Sequence, residues 1–141
     1  MKEMPEMDIK KIKDQILLIS NKLNIKVKYV EDDIENFKDF LTPNSSWILG
    51  KDEIVIGQYE DPELLFISFF HEIGHTLLSK EFIEEWNHNT LLIEIECWHL
   101  GIKYAKENNI YFSDKAIEYG YTQALSYVGH DEREKGKGEP K

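Results

Sequence analysis

Cysteine is almost missing from these 141 residues: Cys97 stands alone, so no disulfide can close within the chain. Positive charge is also scarce, with 17 Lys and Arg against 27 Asp and Glu. The resulting net charge of -10, with no convincing basic cluster, argues against direct nucleic-acid binding. No apolar run approaches the roughly 20 residues that a bilayer-spanning helix needs, which argues against a membrane role. The first residues, Met1-Lys2-Glu3-Met4-Pro5-Glu6, lack the cationic and then apolar order of a secretory leader. A cytoplasmic chain acting on something soluble or on an exposed segment is the expectation.

What is present suffices for one core. Hydrophobic residues make up 41% of the chain, an ordinary share for a globular domain of this length. We expect a single domain over residues 1–130 and a disordered tail over 131–141, where charge and glycine replace apolar residues. Ile9, Ile12, Ile16, Ile19 and Leu23 recur at helical spacing between about Asp8 and Lys22. Ile25, Val27 and Tyr29 alternate with lysines, as in a half-buried strand. Ile34, Phe37, Phe40 and Leu41 fit a short helix or a packed loop equally well. Trp47-Ile48-Leu49 and Ile54-Val55-Ile56, joined by Gly50-Lys51-Asp52, predict a small antiparallel sheet. Such a sheet is either one wall of the core or an edge on which an extended peptide can lie.

Asp61 as N-cap, Pro62 at the first helical position and Glu63 in the first turn open a helix predicted to reach about Ser79. The stretch from Lys80 to Asn89 is polar and acidic, and predicts a connection. Thr90 opens a further helix that stops at Asn108-Asn109, and Ser113 caps a last one from Asp114 to about Val128 before Gly129. The fold class expected is therefore α+β.

The chemistry lies on the first of these three helices, in Phe70-His71-Glu72-Ile73-Gly74-His75. Histidines four positions apart project from one helix face, so both imidazoles can reach one metal ion. Glu72 is rotated about 100° from His71, close enough to touch water activated by that metal without ligating it. This is the place of a general base. Histidine is rare enough that the string arises by accident in such a chain well under about one time in a hundred. The flanking Leu64, Leu65, Phe66, Ile67, Phe69, Phe70, Ile73, Leu77 and Leu78 place these polar groups inside the fold, where they need partners. Gly74 lets another element approach the helix backbone closely.

A catalytic zinc site has three protein ligands and an open position. The ten residues after His75 contain neither histidine nor glycine, so the extended pattern with a third histidine is absent. Glu94 and Glu96 on the next helix are the remaining candidates, and at roughly 200° apart only one of them can face the metal. His99 is a weak candidate for stabilising an oxyanion, and Tyr111, Tyr119, Tyr121 and Tyr127 are possible donors for the same task. His88 and His130 are expected at the surface, and Cys97 in the packing.

His71-Glu72-Ile73-Gly74-His75, followed by Glu94-Ile95-Glu96-Cys97-Trp98, resembles the ImmA/IrrE family of small metallo-endopeptidases of bacteria, phages and integrative elements. The resemblance covers roughly residues 45–105. It implies a compact, zincin-like, thermolysin-type core, with the small sheet packed on the His-Glu-x-x-His helix and a glutamate-bearing helix. It also implies Zn2+ held by His71, His75 and Glu94, with Cys97 at the family's small-residue position. Trp98 departs from the asparagine of many members, so a polar contact there is not carried over. The activity implied is that of a zinc-dependent endopeptidase with Glu72 as general base, cutting a protein substrate such as the transcriptional regulator of a mobile element. No DNA-binding module accompanies the motif, so a regulator would be a separate protein. The alternative function is a non-catalytic, zinc-stabilised module that binds and blocks a regulator or toxin.

Overall fold

The central element is the helix that carries the two histidines, and the rest of the chain is layered around it. The structure is a computed structural model and describes residues 8–32, 35, 46–49 and 52–128. In chain order it contains α1 (Ile9–Lys22), β1 (Lys26–Tyr29), a single 3-10 turn (Val30–Asp32), β2 (Ser46–Leu49), β3 (Glu53–Ile56), α2 (Pro62–Leu77), α3 (Lys80–Glu85), α4 (Thr90–Glu107) and α5 (Asp114–Leu125). This is a small α+β fold. Among the described residues, no helix is long and apolar enough to cross a membrane. The expected tail over 131–141, His130, Gly129 and the stretch containing Ile34, Phe37, Phe40 and Leu41 lie outside the described residues.

α1 begins where Asp8 accepts a hydrogen bond from the Lys11 backbone N–H, and it buries the predicted stripe of Ile12, Ile16 and Ile19. Asn24, in the left-handed region at φ 57°, turns the chain into β1. The three strands lie in the order β1-β3-β2. β2 and β3 pair antiparallel, with Trp47 opposite Val55, but β1 runs parallel to β3, with Val27 opposite Ile54. The sheet is therefore mixed, not the antiparallel sheet expected. The reason is topological: β1 enters directly from α1 and takes the free side of β3, and hydrophobic alternation carries no information about strand direction. Ile54, Val55 and Ile56 of the middle strand are fully buried, as a strand covered on both faces requires.

α2 is apolar on nearly every side because it packs against α1, β2, β3, α4 and α5. Phe66, Phe69 and Phe70 are buried in it, and Phe112 meets both Phe66 and Phe70 edge-on at 5.8 Å between ring centroids. Its start is tied to the start of α5. The Glu63 carboxylate accepts from the Ser113 backbone N–H at 2.8 Å and from the Ser113 hydroxyl at 2.6 Å, and Lys115 pairs with Asp61. The predicted connection over Lys80–Asn89 instead contains a short helix. Ser79 caps it by accepting from the Phe82 N–H, and Phe82 lies 6.4 Å from Trp86, so one turn of helix satisfies a segment whose composition reads as loop.

α2 and α4 approach so closely that two glycines are obligatory. A Cβ on Gly74 would lie 1.9 Å from the Cys97 carbonyl oxygen, and one on Gly101 would lie 2.1 Å from that of Phe70. Both obstacles are backbone and cannot swing aside. Replacing Gly101 by Ala is expected to lower stability by about 1–3 kcal/mol, despite alanine's better helix propensity, because the two helices must separate. Chemical denaturation followed by circular dichroism measures this, and an unchanged or raised midpoint would show that the helices are not held at this contact.

Candidate metal centre

Glycine contact between α2 and α4 brings Glu94 under the two histidines. His71 Nε2 stands 2.9 Å from Glu94 Oε1, His75 Nε2 stands 3.2 Å from Glu94 Oε2, and the two Nε2 atoms are 3.2 Å apart. Donors each about 2.0–2.1 Å from one tetrahedral ion lie roughly 3.3 Å from one another. The observed triangle has nearly that size, so a small divalent ion fits these three residues with minor expansion. Glu72 is 4% exposed, and one of its carboxylate oxygens lies 3.2 Å from His71 Nδ1. Glu72 also belongs to a group with His71 and His75 in which one potential donor atom from each lies within 4.8 Å of the others.

Electrostatics of the cluster calls for a cation. Burial works against a charge on His71, but the carboxylates of Glu72 and Glu94 at its two ring nitrogens outweigh this and raise its pKa to about 9. Burial pushes Glu94 upward, and hydrogen bonds from His71 and His75 overcome it and bring the carboxyl down to about 2. A divalent ion takes as its ligands a neutral imidazole and an ionised carboxylate.

Glu94, 7% exposed, is the glutamate that faces the histidines, while Glu96 lies in neither group of potential donors among the described residues. Cys97, one turn on from Glu94, is fully buried, and its sulfur lies within 4.8 Å of donor atoms of His75 and Glu94. Burial, followed by the charges of Glu94 and Glu72, pushes the thiol pKa far up, which disfavours the thiolate that a metal would require.

A cleft of about 210 Å³ opens beside His71, Glu72 and Glu94, and Tyr59, Ser68, Tyr119 and Tyr127 contribute hydroxyls to its walls. Tyr127 follows α5. Burial and then the charges of Glu94 and Glu72 raise its pKa, so its ring lies in the field of the cluster. Burial also raises Tyr119, partly offset by hydrogen bonds with Ser68 and Tyr59. Two of the four candidate tyrosines are thus brought to the site. Tyr111 and Tyr121 are exposed elsewhere, and Tyr121 lies with the exposed His99 along a separate hollow lined by Ile102, Lys103 and Lys106. His99 is therefore not positioned to stabilise an oxyanion, since it faces away from the cleft on α4. His88 is exposed in the turn after α3.

Sequence reasoning missed Ser68, Tyr59 and the face of Trp98. Ser68 is one turn before His71 and Trp98 one turn after Glu94, so helical spacing alone could have found both. Tyr59 precedes its helix and carries no such signal. No protein-family model, curated protein or solved structure matches the chain.

Protein purified without chelator or histidine tag is expected to carry about one zinc per chain, measured by elemental analysis and native mass spectrometry. Glu94→Ala should lower zinc affinity at least about 100-fold, and Glu96→Ala should leave it unchanged. An equal loss in the two variants would move the third ligand away from Glu94.

Proposed function

We propose that this chain is a zinc-dependent endopeptidase of the ImmA/IrrE type, with a zincin-like arrangement of its two central helices. The observation that carries this reading is the convergence of His71, His75 and Glu94 within 3.2 Å, next to a buried Glu72 that lines a cleft. A zinc ion held by these three residues would polarise a substrate carbonyl and acidify water from a pKa of about 15.7 towards about 7.

The residues supply the remainder. Glu72, as general base, takes the proton from the attacking water and delivers it to the departing amine. His71 and His75, on one face of α2, and Glu94, on α4, would hold the metal after a slight opening of the cluster. Tyr127 and Tyr119 line the cleft, and a hydroxyl there would donate to the negative charge that develops on the carbonyl oxygen. Among the described residues β2 is an edge strand that packs on α2, and an edge of this kind can pair with an extended peptide. The substrate class is a separate protein, and the family resemblance points to a regulator of a phage or mobile element; this step is analogy. The setting is cytoplasmic, with no nucleic acid bound directly.

A second reading rests on Cys97. Its sulfur lies near enough to His75 and Glu94 to close the site as a fourth protein donor, which would make a zinc-stabilised binding module without hydrolysis. The raised thiol pKa and the presence of Glu72 favour the hydrolase.

Glu72→Gln should lower cleavage of a quenched fluorescent peptide library by about 10²–10⁴-fold while the zinc content stays at that of the parent. Cleavage by the variant at the parental rate would remove Glu72 from the mechanism. No cleavage by the zinc-loaded parent, combined with partner capture unaffected by the substitution, would favour the binding module.

A further inference from the structure

Trp98 lies flat on a metal-binding imidazole. Its ring and that of His71 are 4.1 Å apart between centroids and inclined by only 5°, and Trp98 is 3% exposed. The other surroundings of the indole are also contacts of its faces and edges. Tyr119 meets it edge-on at 6.3 Å, and Gly120 of α5 leaves room for its six-membered ring, since a Cβ there would lie 2.8 Å from Trp98 Cε3. The indole Nε1 has no hydrogen-bond partner among the described residues. The ring is therefore held by shape and not by its polar atom.

Imidazoles that bind metals are usually oriented by a hydrogen bond from the second ring nitrogen. In this site the group at His71 Nδ1 is Glu72, 3.2 Å away, the carboxylate assigned to move a proton. That contact fixes one end of the ring, and a stacked plane constrains the tilt that one hydrogen bond leaves open. We infer that Trp98 is the positioning residue for His71: its flat face fixes the plane of the imidazole, so that Nε2 stays aimed at the metal. The inference rests on the metal-centre reading of this site. It gives Gly120, on a helix that contributes no ligand, a defined task, which is to leave space for the indole.

Two substitutions separate a face from a filler. Trp98→Phe keeps an aromatic plane, whereas Trp98→Leu keeps apolar bulk without one. Zinc affinity is measured by competition with a chromophoric chelator, the Co2+ absorption spectrum reports ligand geometry, and circular dichroism verifies folding. Trp98→Leu is expected to weaken zinc binding by about 10–100-fold and to alter the Co2+ bands, and Trp98→Phe to stay within about three-fold of the parent. Should Trp98→Leu fail to fold, Gly120→Ala decides. It displaces the indole and should weaken zinc binding in the parent, yet cost little in the Trp98→Phe background, where the smaller ring leaves space. Parental affinity in folded Trp98→Leu, equal losses for Leu and Phe, or additive Gly120→Ala and Trp98→Phe effects would overturn the positioning assignment alone. A parent chain that takes up no zinc would overturn the metal reading and this inference together.

Discussion

Everything at the candidate centre depends on how near two helix backbones come to each other. Glu94 reaches the two histidines only because α2 and α4 meet where neither has a side chain, at Gly74 and Gly101. Ordinary helix pairs are kept about 8–10 Å apart by the residues at their contact. With glycine on both sides, the carbonyl of one helix lies against the Cα of the other, and the short glutamate arm is long enough. The same contact puts Cys97 and Trp98 next to the motif, because both lie on the face of α4 that Glu94 shares.

That proximity creates an electrostatic demand which the fold does not meet with a side-chain cation. Glu72 and Glu94 are almost fully buried beside two imidazoles, and no lysine or arginine lines the cleft. Burial opposes charge on His71, yet the neighbouring carboxylates of Glu72 and Glu94 raise its pKa, so the cluster favours positive charge at this position. A structural histidine pair in a core would be satisfied by one hydrogen bond each. Two buried carboxylates set against two imidazoles distinguish this cluster from such a pair and make it a group that could hold a metal ion.

The parts of this arrangement that the sequence makes legible are those encoded locally. Asp61 and Ser113 cap the helices that their residue types announce, and Asn89, just before the Thr90 read as the opening residue, caps α4. Apolar spacing gave the buried face of α1, and four-residue spacing put His71 and His75 on one side of α2. The choice between Glu94 and Glu96 was different. Helical geometry says that only one can point inward, but which one depends on the rotation of α4 about its axis, set by the distant Gly74–Gly101 contact. The direction of β1, and the selection of Tyr119 and Tyr127 over Tyr111 and Tyr121, likewise depend on packing between segments far apart in the chain. The short helix at Lys80–Glu85 escaped because six residues are too few for periodicity to outweigh an acidic composition.

α5 links these observations. It donates no residue to the ligand set, yet three of its features converge on the centre: the Ser113 and Lys115 ties to the start of α2, the space at Gly120 for Trp98, and Tyr119 on the wall of the cleft. Tyr127 just beyond its end completes that wall. α5 and the turn after it thus form one wall of the cleft beside the buried carboxylates, where low polarity strengthens each interaction inside. The candidate ligands are specified by two short motifs, while part of the environment around them comes from an element that no motif reading would have selected.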